Sequence, residues 1–291
     1  MRLVTLRIDG GTRAGRIDDA DVVELPFEDV GALLRSGDDW VATATTGDGT
    51  RHRLDGMDLA PPVVTPSKVI CLGLNYQSHI QELGRALPAH PTLFAKFART
   101  LTGPHDPIPM PPESSQVDWE VELALVIGRT VRRASAEEAP SVIAGYTVAN
   151  DISMRDWQWR TDEWLQGKAF ERSTPIGPAL VTPDELPGPA NRPDLEVRCE
   201  IDGEVVQKAR TGDLLFGPAE IVAYVSQIVT LDPGDVILTG TPAGIGAGRD
   251  PQRFLTDGET VRTSIEGLGE LVNRCVTESV DARQADEVAA R

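Results

Sequence analysis

Leu3, Thr5 and Arg7 alternate with Val4, Leu6 and Ile8, the two-residue period of a strand, and Gly10-Gly11 supplies a turn after them. Short strands with tight turns are therefore predicted over residues 2 to 25. A short helix over Val30–Arg35, stopped by Gly37, comes next. Lys68 to Gly73 is a short apolar run and reads as a buried strand. A second strand opens Asp118-Trp119-Glu120-Val121-Glu122-Leu123 and runs on to Ile127; in one regular strand Asp118, Glu120 and Glu122 would line one face. Ser135 to Glu138 has capping-box spacing and starts a short helix, and Gly145 to Val148 returns to strand. Leu195 to Ile201, Asp202-Gly203 and Val205 to Gln207 make a hairpin without visible chemistry. Gly217-Pro218 opens a core helix with Ile221, Val222, Val225, Ile228 and Val229 on one face, and Leu231 to Leu238 turns into another buried strand.

Proline divides the chain. Ala60 to Pro66 reads as a linker, and the run from Pro104 to Pro112 as an extended loop into the acidic strand. The expected division is a small N-terminal unit at 1–65, a main domain at 66–276 and a polar tail at 277–291 that frays or forms a loose helix.

Across 291 residues, 40% hydrophobic and 25% charged residues are the balance of a globular protein with a large core. Lys+Arg number 28 against Asp+Glu 45, a formal charge of −17, which argues against a nucleic-acid backbone or an anionic membrane as partner. A small anionic substrate stays open, since a bound metal and a few local cations can reverse the sign inside a pocket. Cys71, Cys199 and Cys275 are odd in number and widely spaced, as buried free thiols of a reducing compartment would be. The first residues lack a signal-peptide core, and no stretch approaches the roughly 18 apolar residues of a membrane span, so cytoplasmic residence is expected. Only four of the basic residues are lysines, which makes a lysine inside a motif more informative.

Three patterns carry candidate chemistry. Carboxylates crowded on one strand face are tolerated by solvation, by raised pKa values or by a cation; hard divalent ions take such oxygens, so Glu120, Glu122 and Asp151 are candidate metal ligands, with a wet edge strand as the alternative. His79 and Glu82 stand three apart; on a helix the carboxylate would orient the imidazole as a base for water, or the two form a surface pair. Lys168, in a glycine- and proline-punctuated segment, either polarises a carbonyl or enolate oxygen in a cleft or is solvated. Beside these, Thr239 to Gly246 is a glycine loop whose N–H groups suit an anion, or an ordinary turn.

In order and number these motifs resemble the fumarylacetoacetate hydrolase family over roughly residues 67 to 275. They are Tyr76-x-x-His79-x-x-Glu82, Asp118-x-Glu120-x-Glu122, Asn150-Asp151-x-Ser153-x-Arg155-Asp156-x-Gln158, Gly167-Lys168 and Thr239-Gly240-Thr241-Pro242-x-Gly244-x-Gly246. The resemblance implies an α+β, mostly β fold: a mixed β-sandwich roll with a small N-terminal α+β accessory domain, as a homodimer. It implies Mg²⁺ or Mn²⁺, with Ca²⁺ as a crystal substitute, on Glu120, Glu122 and Asp151. His79, Glu82 and Lys168 fall on catalytic positions, and Tyr76, Arg155, Gln158 and Thr241 on positions that bind substrate oxygens. The expected activity is hydrolysis of the C3–C4 bond of a 2,4-dioxo acid by a water that His79 and Glu82 activate. An isomerase, decarboxylase or hydratase acting on a related 2-oxo acid is the alternative, and a non-catalytic metal-dependent binding protein is a third reading. Glu171 departs from the aspartate of many members and is expected to alter a contact near Lys168.

Overall fold

The computed structural model describes residues 1–82, 86–189 and 192–279; the side chains of His79, Gln81 and Glu82 also lie outside the described set. The fold is mostly β. A twelve-stranded mixed sheet runs in the order Arg51–Arg53, Asp21–Glu24, Gly11–Asp18, Arg2–Ile8, Thr174–Val181, Ile143–Asn150, Val121–Ile127, Val236–Leu238, Val69–Gly73 and Thr92–Lys96, with two short strands beside this path. A five-stranded sheet, built on the predicted hairpin, packs against it.

Val121–Ile127 and Ile143–Asn150 are the centre of the large sheet, and every residue of both is buried. Leu123, Leu125 and Ile127 enter the larger apolar cluster on one face, while Ala124 and Val126 enter the smaller cluster on the other. Burial on both faces explains why this run is continuously apolar instead of alternating.

The acidic segment is not one regular strand. Val117–Asp118 pairs with Ser153–Met154, and Val121–Ile127 pairs with Ile143–Asn150, so Trp119 and Glu120 lie between two strands. Side-chain amides replace ladder partners at this break: the Glu120 N–H donates to Asn150 Oδ1 at 2.9 Å and the Val121 N–H to Gln207 Oε1 at 3.0 Å.

The first strand is flanked by Gly11–Asp18 and by Thr174–Val181, through Arg2↔Val181 and Leu3↔Leu180. The stretch read as a linker is packed: Pro61, Pro62 and Val63 are buried, and Thr5 Oγ1 donates to the Pro62 carbonyl at 2.8 Å. The helix Val30–Arg35 forms as expected, capped by Asp29. Ser135 and Glu138 make their reciprocal capping contacts, but the element they open is a single 3₁₀ turn, Ala139–Val142. Pro218–Ile228 is the longest helix described; Ile228 at its end is exposed instead of packed. Among the described residues no helix is long and apolar enough to cross a membrane.

Candidate active site

At the broken end of the central strands, Glu120, Glu122 and Asp151 each bring a carboxylate oxygen within 4.8 Å of the others, and all three are buried. Glu122 leaves the strand on the same face as Ala124 and Val126. Asp151 comes directly after Asn150, and its N–H donates to the Glu120 carbonyl at 2.9 Å. That bond fixes the two bends against each other.

Buried like charges require buried cations. Lys168 Nζ donates to Glu120 Oε2 at 2.7 Å and to Asp151 Oδ2 at 2.8 Å. Lys96 Nζ donates to Asp151 Oδ1 at 2.5 Å, with both side chains wholly buried. Arg155 Nη2 lies 2.6 Å from Glu120 Oε1, its Nε donates to Asp118 Oδ2 at 2.9 Å, and its Nη1 to Gln158 Oε1 at 2.8 Å. Burial alone would raise the Asp151 pKa, but Lys168 and Lys96 outweigh it and hold the carboxyl below its ordinary value. Burial would likewise lower Lys168, and Asp151 with Glu120 reverses this, so it stays an ammonium. Glu122 is the opposite case. Burial, and then Asp151 and Glu120, push it well above its ordinary value; Lys168 and the Gly240 N–H counter only in part.

The glycine loop does not offer its amides to an outside anion in the way the sequence suggested. The Gly240 N–H donates to Glu122 Oε2 at 2.6 Å, the Gly246 N–H to Asp118 Oδ1 at 2.7 Å and the Ala247 N–H to Asp118 Oδ2 at 2.9 Å. The loop's N–H groups are taken up by the protein's own carboxyl groups.

Beside Glu120 lies a cavity of about 270 Å³, which Glu122 and Asp151 do not line. Glu120, Arg155, Gln158, Lys168 and Thr241 form its polar part, and Phe94, Trp159, Trp164 and Ile245 its apolar wall. Trp164 leans on Gly73, where an added Cβ would meet its ring at 2.2 Å, and packs edge-on to Phe94. A larger, more open groove of about 560 Å³ at Trp40, Arg129 and Thr182 contains none of these acids.

The structure thus gathers Glu120, Glu122, Asp151, Lys168, Arg155, Gln158 and Thr241. Thr241 Oγ1 accepts from Gln207 Nε2 at 2.8 Å, which orients the hydroxyl. Tyr76 is wholly buried and does not line the cavity; burial, then Glu122, raises its pKa, and its hydroxyl has no partner among the described residues. His79 and Glu82 belong to the helix Gln77–Glu82, but the proposed dyad itself lies outside the described side chains. Glu171 is not near Lys168 in the way expected: it is exposed and pairs with exposed Arg99 at 2.8 Å.

Four contributors were given no role by the sequence. Lys96 carried one signal, its membership of a four-lysine set. Asp118 and Asn150 stood in the quoted motifs without a role. Gln207 gave none, because an amide that replaces a ladder bond has no sequence period and this one sat in a hairpin read as inert.

The donor set fits a hard divalent cation. All three groups are carboxylates, and Glu122 Oε1 is buried with no hydrogen-bond partner among the described residues. A buried oxygen of this kind is costly unless something positive meets it.

The mostly β fold, the buried acids beside a buried lysine and the order of the motifs are those of one enzyme family. The model of the fumarylacetoacetate (FAA) hydrolase C-terminal domain matches residues 68–276, and the chain belongs to that family. It is 47% identical over 216 residues to the mitochondrial oxaloacetate tautomerase of Rattus norvegicus, covering 74% of this chain and 68% of the relative. The fumarylacetoacetate hydrolase of Exiguobacterium antarcticum superposes with a TM-score of 0.84 at 33% identity, and the 5-carboxymethyl-2-hydroxymuconate delta-isomerase of Mycobacterium smegmatis with 0.79 at 34%. Both superpositions cover 96% of this chain and 100% of the other.

Proposed function

We propose that this protein interconverts the keto and enol forms of a short 2-oxo diacid of the oxaloacetate type, with a divalent metal on Glu120, Glu122 and Asp151. The observation that carries the reading is the buried Lys168 ammonium, held by Glu120 and Asp151, which lines the cavity together with Arg155 and Gln158. The likeness to an oxaloacetate tautomerase supports this choice among the reactions of the family. Mg²⁺ or Mn²⁺ bound there would supply Lewis acidity toward the oxo acid. Arg155, Gln158 and the oriented Thr241 hydroxyl bind carboxylate oxygens and fix the diacid. The C3 proton passes to solvent water, the C–H electron pair becomes the C2–C3 double bond, and the carbonyl π pair moves onto the C2 oxygen, which takes a proton from solvent to give the enol. Lys168 stays an ammonium and places its positive charge at that oxygen while the charge develops. Phe94 and Trp164 keep one side of the cavity apolar, which strengthens each of these contacts.

Hydrolysis of the C3–C4 bond of an acylpyruvate is the second reading. It is favoured by the three-residue spacing of His79 and Glu82 on one helix, which starts three positions after the cavity residue Leu74. One experiment separates the two. Wild-type protein with Mg²⁺ is given enol oxaloacetate and, separately, an acylpyruvate, and the products are followed by ultraviolet absorbance and NMR. Faster enol–keto equilibration without net consumption supports the tautomerase; cleavage to pyruvate and a carboxylate supports the hydrolase. His79→Ala should spare the first activity and abolish the second. Silence toward both substrates would sink both readings.

A further inference from the structure

Asp118 is buried and outside the metal-binding set, yet it ties three parts of the site together. One of its oxygens accepts the N–H groups of Trp119 at 2.8 Å and Gly246 at 2.7 Å; the other accepts Ala247 N–H and Arg155 Nε, each at 2.9 Å. These partners come from separate parts of the chain: the acidic break, the glycine loop and the helix Arg155–Gln158. Arg155 passes the connection on to Glu120 and Gln158. Gly246 is fitted to the carboxylate, since a Cβ there would lie 1.8 Å from the Arg253 carbonyl and 2.9 Å from Asp118 Oδ1. Thr241, in the same loop, lines the cavity together with Arg155.

We infer that Asp118 is a positioning residue that couples the glycine loop to Arg155, so that the guanidinium and the Thr241 loop grip the substrate as one unit. The physical reason is geometric. A guanidinium whose Nε donates to a carboxylate and whose Nη1 donates to an amide oxygen, with a second carboxylate at ion-pair distance, has its plane set. The same Asp118 fixes the loop by two backbone amides, so a displacement of either partner is felt by the other. The role assigned to the substrate end rests on the proposed function; the coupling itself does not.

The test is a double-mutant cycle on Asp118→Asn and Arg155→Lys, read in two ways. The first readout needs no substrate: hydrogen exchange at the Gly246 and Ala247 amides, measured by NMR on the full chain. Asp118→Asn should speed both by about tenfold or more, as loss of charge-assisted bonds does. Arg155→Lys should speed them too, although it touches neither amide. Unaltered exchange in Arg155→Lys would overturn the coupling. The second readout is the Kd of oxamate, an unreactive 2-oxo-acid mimic, with Mg²⁺. Each single variant should weaken it about tenfold, and the double variant no further than the weaker single. Penalties that multiply, or an equal loss of Mg²⁺ affinity measured without oxamate, count against positioning through Arg155. Should Asp118→Asn fail to fold, Gly246→Ala displaces the loop with every charge retained. It should weaken oxamate and leave Mg²⁺ affinity within about threefold; unchanged oxamate binding would overturn the inference. If wild-type protein binds no oxamate at all, the proposed function fails, and the exchange experiment still decides the coupling.

Discussion

The two ends of one strand pair obey different rules. Along Leu123–Ile127 and Ile143–Val148 the ladder is nearly complete, the side chains fill apolar clusters on both faces, and the backbone partners are other backbone groups. A few residues away, Asp118, Glu120, Glu122, Asn150 and Asp151 are buried, and amides of Asn150 and Gln207 take over ladder bonds. The first end lowers the free energy of the fold by burying apolar surface, about 1.5–3 kcal/mol for each large side chain. The second end holds desolvated carboxyl groups: Lys168 and Lys96 keep Asp151 ionised, while burial pushes Glu122 toward its neutral form. One end stores stability and the other gives some of it up to keep charges dry.

Substitutions at the two ends should therefore fail in different ways. At the charged end, Glu122→Gln should lower Mg²⁺-dependent turnover by about a thousandfold, the scale of losing one group that stabilises a transition state. Its melting temperature in chelator should not fall, because a neutral amide suits that site; a clear drop would show that the carboxylate stabilises the apo fold. Removal of a cation there is a separate case. Lys96→Met leaves Asp151 Oδ1 without its cation, with Lys168 still on Oδ2, and should cost about 3 kcal/mol by urea titration, the lower end for a broken buried ion pair. A cost below about 1 kcal/mol, roughly what exposed pairs contribute, would mean that Lys96 is not needed there. At the apolar end, Leu125→Ala should cost about 2–5 kcal/mol yet keep the wild-type KM at low temperature. A raised KM would mean that the two ends are not separable.

A pH series sharpens the same contrast. The folded-state pKa of Glu122 is raised, so between its ordinary value of 4.5 and that higher value the folded protein carries a proton that the unfolded chain has lost. In chelator, this contribution is complete below 4.5 and disappears as pH rises through the folded pKa. Asp151 has the opposite sign: its lowered pKa adds stability above 3.8 that is lost as pH falls through the folded value. Urea midpoints of Glu122→Gln should lack the decline toward higher pH, and a parallel curve for wild type and variant would contradict the assignment. The smallest effect is expected outside both ends. Glu171→Asp, on the exposed pair with Arg99, should leave turnover and melting temperature within error of wild type.

The apolar end was legible in the sequence because period and composition report burial directly. Val69–Gly73, Val121–Ile127, the hairpin strand Glu196–Ile201 and the helix Pro218–Ile228 all come from it. The acids, Lys168, Arg155 and Gln158 were legible as residue types in a recognisable order. Alternation could not supply the break at Trp119 and Glu120, where hydrogen bonds to distant amides decide the path. For the same reason the roles of Asn150, Gln207 and Lys96 were not legible: each acts on a partner far away in the chain. The Pro61–Pro62 stretch was misread as a spacer because proline signals a stiff, extended path, and packing against Thr5 decides whether that path is exposed.

The place of the first strand has a consequence for biosynthesis. Arg2–Ile8 lies between Gly11–Asp18 and Thr174–Val181, so one of its neighbours is made long after it leaves the ribosome. At about 5–20 residues per second the wait is on the order of ten seconds or more, with Leu3 and Val4 still seeking cover. A nascent chain halted before Thr174 should therefore bind a chaperone through its amino-terminal hairpin and release it once translation passes Val181.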